Sequence, residues 1–207
     1  MEKQNPFPDT CLRQSDVLLR QFTPVTGVQL AKLIGKSVGK CCDLDPIPAT
    51  VLKECLTDLL PIITEIDVSV TNAVVPSSLK NASLQPLLKK QTLPYEEFSS
   101  FISKCVEKAV AAQTCQHVED NNLNELYQSA YKQYHSTETA MIKVQDDILR
   151  AIDNNCSVIL LLLDLSAAFD TADHRILLDR LSRRFGIVDN ALGWFRSYLS
   201  DRHQVVK

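Results

Sequence analysis

The sequence predicts a helix-dominated α/β fold with one buried central strand and an incomplete sheet. Six consecutive apolar residues, 158–163, predict the strand, because a short apolar run between polar residues is typical of a strand that is covered on both faces. Several other stretches carry apolar residues at helical spacing and predict helices on either side of it. The apolar and charged contents, 45% and 23%, are those of globular domains and exclude wholesale disorder.

In the first half of the chain, residues 1–25 have mixed polarity and predict a mobile arm. A helix is predicted from Thr26 as N-cap, and a second helix from Pro48, which suits a first helical turn. Residues 80–90, KNASLQPLLKK, suggest a short extended segment that ends in Lys89 and Lys90. No second strand is evident beside it, so residues 83–94 are predicted to be poorly ordered.

The second half begins with a predicted helix over residues 98–117. Ser136 or Thr137 is the predicted cap of the next helix, which ends near residues 153–155 and precedes the strand at 158–163. Two more helices follow. The first ends at Gly186, which suits a helix C-terminus, and the second spans residues 189–199.

The bulk numbers exclude several function classes. The net charge of −3 and the pI of 5.8 are unlike those of a dedicated nucleic-acid binder, although residues 175–207 are locally basic. The sequence contains no phosphate-cradling glycine loop and no zinc-spaced cysteine or histidine cluster. The seven cysteines without a signal peptide predict a reducing compartment, cytosol or nucleus. The run 158–163 is too short to span a bilayer.

Asp164 ends the predicted strand, where open α/β sheets place their ligands. Five residues later come Phe169 and Asp170. This Asp-x-x-x-x-Phe-Asp spacing resembles the first catalytic motif of reverse transcriptases, in particular those of non-LTR (LINE-type) retrotransposons. The close resemblance extends over residues 128–207, including YQSAYKQYHSTETAMIKVQDDI and TADHRILLDRLSRRFGIVDNALGWFRSYLSDRHQVV, with a looser match over residues 42–90.

The resemblance implies an RNA-directed DNA polymerase that uses Mg²⁺, an RNA template and a DNA primer. It makes Asp164 the catalytic, metal-bridging carboxylate and the backbone carbonyl of Leu165 a second ligand. Phe169 would exclude a ribose 2′-hydroxyl, and Lys89 and Lys90 would face the incoming nucleotide. Residues 26–115 would form a fingers-like part with a deletion near residues 90–98, and residues 116–207 the start of the palm.

The chain departs from the family pattern in two places. No Arg-Pro pair stands between residues 21 and 149, and no Asp-Asp pair follows Asp164. A two-metal clamp needs more than one carboxylate, so a truncated enzyme that is inactive alone is expected.

Two alternatives remain open: a non-catalytic nucleic-acid or protein interaction module, and an expressed remnant without function. The weaker candidates for nucleic-acid contact are Arg175, Arg183, Arg184, Arg196 and Arg202, which also fit an ordinary solvated helix face. Asp164, in turn, also fits the cap of a following turn.

Overall fold

The computed structural model describes residues 16–36, 48–55, 58, 69–86, 95–99, 101–125, 127–164, 168 and 171–206. Its elements confirm a helix-dominated α/β chain at the coarse level. In chain order they are α1 (Gly27–Lys36), α2 (Ala49–Glu54), a 3₁₀ helix (Ser77–Lys80), β1 (Asn81–Pro86), β2 (Tyr95–Ser99), α3 (Phe101–Asp120), α4 (Thr137–Asp153), α5 (His174–Arg183), α6 (Asp189–Leu199) and β3 (His203–Val206).

The chain divides into two compact units. The larger unit combines Met1–Leu123 with Asp173–Lys207, and the smaller unit is Asn124–Ala172. The larger unit holds the three strands and all the described helices except α4. The division into a fingers-like part, residues 26–115, and the start of a palm, residues 116–207, stays a prediction.

The core of the larger unit forms where α3 and α6 bury their apolar faces. Trp194 is 2% exposed; its ring meets Phe22 edge-on at 6.2 Å and stacks on Tyr198 at 5.1 Å. Aromatic contacts of this kind add to the free energy gained by burial. The other buried apolar residues of this cluster are Leu30, Ile34, Val70, Val75, Leu79, Phe101, Cys105, Val106, Val110, Ile187 and Ala191.

The sheet has the strand order β2-β1-β3. Ala82 of β1 lies opposite Ser99 in an antiparallel pair and opposite Gln204 in a parallel pair. The prediction that this strand lacks a partner is therefore wrong. Tyr95–Ser99 supplies the partner, so Phe98 and Ser99, predicted as the start of a helix, belong to β2, and α3 begins only at Phe101. Residues 87–94 lie outside the described residues.

Residues 16–25, part of the predicted mobile arm, make backbone and core contacts in the larger unit. The amide of Leu19 donates to the carbonyl of Gly186 at 2.8 Å, and the amide of Val188 donates back to the carbonyl of Leu19 at 3.0 Å. Phe22 is 3% exposed within the core. Backbone pairing and aromatic burial fix this segment, while residues 1–15 lie outside the described residues.

The predicted buried central strand at residues 158–163 is wrong in this structure. The run forms no strand, and its side chains reach solvent, with Ile159 93% and Leu163 84% exposed. A strand buried on both faces needs neighbouring strands and covering helices. Among the described residues of the smaller unit there is no strand, and α4 has no buried residue, so neither requirement is met.

Candidate functional site

Asp164, the predicted catalytic carboxylate, follows the exposed apolar run directly and is itself exposed. The preceding helix α4 ends at Asp153, and Asn155 adopts a positive φ of 58° where the chain leaves the helix. Asparagine tolerates this left-handed conformation better than most residues. The carboxylate is thus accessible to solvent, but it does not stand at the end of a buried strand.

Helix α4, which leads to this segment, is fixed by local interactions. The hydroxyl of Ser136 accepts from the amide of Thr139 at 3.2 Å, and the amide of Ser136 donates to the hydroxyl of Thr139 at 2.9 Å. This confirms Ser136 as the predicted cap. The pKa of Glu138 is lowered, first by the hydrogen bond from the Ser136 hydroxyl and then by its own amide.

The acidic pair in α4 is not a metal site. Asp147 forms an ion pair with Lys143, and Asp146 lies 2.8 Å from Nε of Arg150, which raises the pKa of that guanidinium. Both pairs join residues one helical turn apart on a solvated face. Asp146 and Asp147 are therefore engaged in ion pairs on the surface of the helix.

The remaining residues of the predicted catalytic site lie outside the described residues. These are Leu165, Phe169, Lys89 and Lys90, together with Asp170. Their predicted roles stay predictions. In the part of the chain that the structure describes, no three His, Cys, Asp or Glu side chains converge in a way that would hold a metal ion.

A Mg²⁺ ion takes octahedral oxygen coordination, with carboxylates supplying one or two ligands and water much of the rest. Asp164 is a hard oxygen donor of the right chemistry. A two-metal clamp, however, needs carboxylates on both ions, and the described residues around Asp164 do not fit that requirement.

The predicted basic residues lie on and after α5 and α6. Asp173 caps α5: its Oδ1 accepts from the amides of Arg175 at 2.8 Å and Ile176 at 3.3 Å. These two amides, in that order, lower the pKa of the Asp173 carboxyl. Arg175 Nη2 lies 3.5 Å from the second oxygen of the same carboxylate. Arg175 thus lies in the first turn of α5, beside the carboxylate that caps the helix.

The other predicted arginines have different surroundings. Nε of Arg183 lies 2.8 Å from the carboxylate of Asp179 one turn earlier. Arg184 lies 5.8 Å from the centre of the Phe185 ring, and Arg202 lies 4.5 Å from the centre of the Tyr198 ring. Cation–π contacts of this length are favourable. Among the described residues, none forms an ion pair with Arg196.

A pocket of about 410 Å³ lies between α5 and α6. It brings together two of the predicted basic residues, Arg175 and Arg196, which the sequence did not place side by side. The sequence did not predict this pocket. Its signal was the spacing of positions 175, 178, 182 on one helix and 192, 196 on the next, which puts each set on one helical face. The full lining is Arg175, Leu178, Asp179, Ser182, Leu192 and Arg196.

Two further cavities lie in the larger unit. One, of about 270 Å³, lies beside Thr23 and Gln113, whose side-chain oxygen accepts from the Thr23 amide at 2.7 Å. The other, of about 330 Å³, is an almost wholly apolar groove beside Trp194, Phe195 and Tyr198. Neither contains converging catalytic groups.

The comparisons with known proteins add no identity. No protein-family model matches the chain, and a search of curated proteins finds no match either. None of the described helices combines the length and the apolar character required to cross a membrane.

Proposed function

We propose that the chain is a partial reverse-transcriptase domain of non-LTR retrotransposon origin that does not polymerise DNA by itself. The observation that carries the proposal is the motif of Asp164, Phe169 and Asp170, within a C-terminal segment that resembles this family in order. The exposure of Asp164 supports it, because a catalytic carboxylate must reach both metal and substrate.

In this proposal Asp164 and the carbonyl of Leu165 supply one side of a Mg²⁺ site. A complete pair of such ions would supply activation of a primer 3′-hydroxyl and charge neutralisation on a triphosphate, and Asp164 would hold one side of that pair. The other carboxylates would come from outside the described residues, Asp170 among them. RNA template, DNA primer and an intracellular location, cytosol or nucleus, belong to the same proposal.

A primer-extension assay tests whether the isolated chain is active. We expect no extension of a DNA primer on an RNA template with Mg²⁺ or Mn²⁺, since positioning and metal charge both require a complete clamp. Extension that disappears in Asp164→Asn would show that the chain completes its own site. Extension that persists in that variant would remove Asp164 from the chemistry.

A metal titration tests the family assignment independently of activity. Mn²⁺ is expected to broaden the NMR signals of residues next to Asp164, and the broadening should disappear in Asp164→Asn. Asp153→Asn is the matched control, because Asp153 is an exposed acid outside the motif. Equal loss in both variants, or broadening centred elsewhere, would contradict the role of Asp164.

A second candidate function is nucleic-acid binding without catalysis. The observation that favours it is the pocket between α5 and α6, which gathers Arg175 and Arg196. Phosphate neutralisation by arginine weakens as salt rises, so binding to an RNA–DNA hybrid should fall steeply with salt. Salt-independent binding, or none at low salt, would contradict this candidate.

A further inference from the structure

We propose that the pocket between α5 and α6 binds a phosphate group of a nucleotide or nucleic-acid strand. The inference rests on the second candidate function for its biological ligand, but not on Asp164 or on polymerisation. The volume of the pocket, about 410 Å³, falls in the range of small-molecule sites, roughly 300–1,000 Å³.

The first argument is that two arginines from different helices line the same pocket. Arg175 comes from the first turn of α5 and Arg196 from the last turn of α6. Guanidinium groups bind phosphate oxygens through paired, charge-assisted hydrogen bonds. Two arginines in the lining of one pocket suit the binding of a single phosphate.

The second argument is that the two acids in or beside the pocket already have hydrogen-bond or ion-pair partners. Asp179 lines it, but its carboxylate lies 2.8 Å from Nε of Arg183. The Asp173 carboxylate beside Arg175 accepts from two backbone amides of α5. Arg175 and Arg183 each lie beside one of these carboxylates, so the positive charge left over at the pocket is that of Arg196, and it favours an anion.

The third argument is that Arg196 is available. Its guanidinium has no ion-pair partner among the described residues and is exposed at the pocket. An arginine without a competing carboxylate gives up no ion pair when it binds phosphate. Its neighbours in the two helices therefore leave Arg196 free to serve as the principal phosphate ligand.

The other residues of the lining suit the sugar and the base that a nucleotide carries beside its phosphate. The hydroxyl of Ser182 is a short donor on the same helical face as Arg175. Leu178 and Leu192 offer apolar surface against which a sugar or base can pack. This combination of charged rim and apolar wall favours a nucleotide over a bare inorganic ion.

Titration of the isotope-labelled chain by NMR tests the proposal. The ligands are inorganic phosphate, a nucleoside 5′-monophosphate and a short single-stranded RNA, with sodium chloride at matched ionic strength as the reference. Signals of the α5 and α6 residues that line the pocket should shift with the nucleotide or the RNA and not with chloride. Comparison of the nucleotide titration with the RNA titration identifies the source of the phosphate, a free nucleotide or a nucleic-acid strand.

Arg175→Gln and Arg196→Gln should each weaken binding by about tenfold or more, as expected when a charge-assisted hydrogen bond is lost. Arg180→Gln is the matched control: it removes the same charge from an exposed position of α5 that does not line the pocket. Circular dichroism checks that each variant keeps its helices.

Equal weakening by all three variants would overturn the proposal, because it would show general attraction rather than a site. Binding of inorganic phosphate without either nucleotide or RNA would also overturn it. Pocket binding together with absent Mn²⁺ broadening at Asp164 would support this inference while contradicting the polymerase-related assignment. The two failures are therefore distinguishable.

Discussion

The indole Nε1 of Trp194 donates a hydrogen bond of 3.3 Å to the hydroxyl of Ser69 in the core of the larger unit. Both side chains are nearly fully buried, at 2% and 1% exposure. A buried indole N–H needs such a partner, since leaving it unpaired costs its full desolvation free energy. This bond joins α6 to the segment that precedes the 3₁₀ helix.

Ser69→Ala should therefore lower the free energy of unfolding by about 1–3 kcal/mol. Urea denaturation followed by tryptophan fluorescence measures it, and Trp194 is the single tryptophan of the chain. Ser78→Ala is the control, because Ser78 is exposed and its loss should cost less than about 0.5 kcal/mol. Similar costs for both variants would contradict a structural role for the Ser69 hydroxyl.

Gly186 allows the chain to leave α5. Its φ is 65°, a left-handed conformation that costs a residue with a Cβ about 1–2 kcal/mol. Its amide donates to the carbonyl of Ser182 at 3.1 Å, which confirms it as the predicted helix stop. Gly186→Ala should lower stability by about that amount in thermal or urea unfolding.

Gly35→Ala is the matched control for this prediction. Gly35 is a helical residue of α1, and an added Cβ would meet no atom within 4 Å. Alanine favours helix over glycine, so this variant should be neutral or more stable. If both variants lost stability alike, the left-handed conformation would not explain the effect at Gly186.

The features that sequence predicted correctly are local ones. A Ser136 cap and a Gly186 stop depend on a few neighbouring residues, so spacing and side-chain chemistry suffice to find them. The pairing of β1 with β3 joins residues near position 82 to residues near position 204, a separation in sequence that apolar spacing does not encode. The predicted strand at residues 158–163 was wrong for the same reason, because burial depends on partners elsewhere.

The candidate site divides in the same way. Sequence identified Asp164 by its motif and Arg175 and Arg196 by their charge. It did not predict that the two arginines line one pocket, because that depends on how α5 and α6 pack. The sequence also did not predict that the carboxylate of Asp164 would lie in an exposed, irregular segment.

Protonation of Asp173 should weaken the N-terminus of α5. Its pKa lies below the ordinary value of 3.8 because the amides of Arg175 and then Ile176 donate to the carboxylate. Between the folded and unfolded pKa values the unfolded chain binds more protons, so stability rises with pH there. The contribution is fully present above the unfolded value and is lost as pH falls through the folded one.

Urea denaturation from above pH 3.8 to well below it measures this contribution. Asp173→Asn is the comparison, since asparagine also caps helices but does not titrate. The wild-type chain should lose more stability than the variant in the acid range. Parallel pH profiles would show that the Asp173 carboxylate does not contribute through its charge.

The exposed apolar run at residues 158–163 gives the sharpest test of the fold. Leu162 and Leu163 are 82% and 84% exposed, so they contribute little burial free energy. The double variant Leu162→Ser with Leu163→Ser should change the free energy of unfolding by less than about 0.5 kcal/mol. It should also reduce self-association, because exposed apolar patches promote it.

Ile34→Ala is the matched control, since Ile34 is 1% exposed in the core and its truncation should cost about 2–5 kcal/mol. Urea denaturation measures stability in both variants, and sedimentation velocity measures association. A large loss of stability in the double variant, comparable to that of Ile34→Ala, would show that the run is buried. Asp164 would then stand at the end of a buried strand, as the apolar pattern predicted.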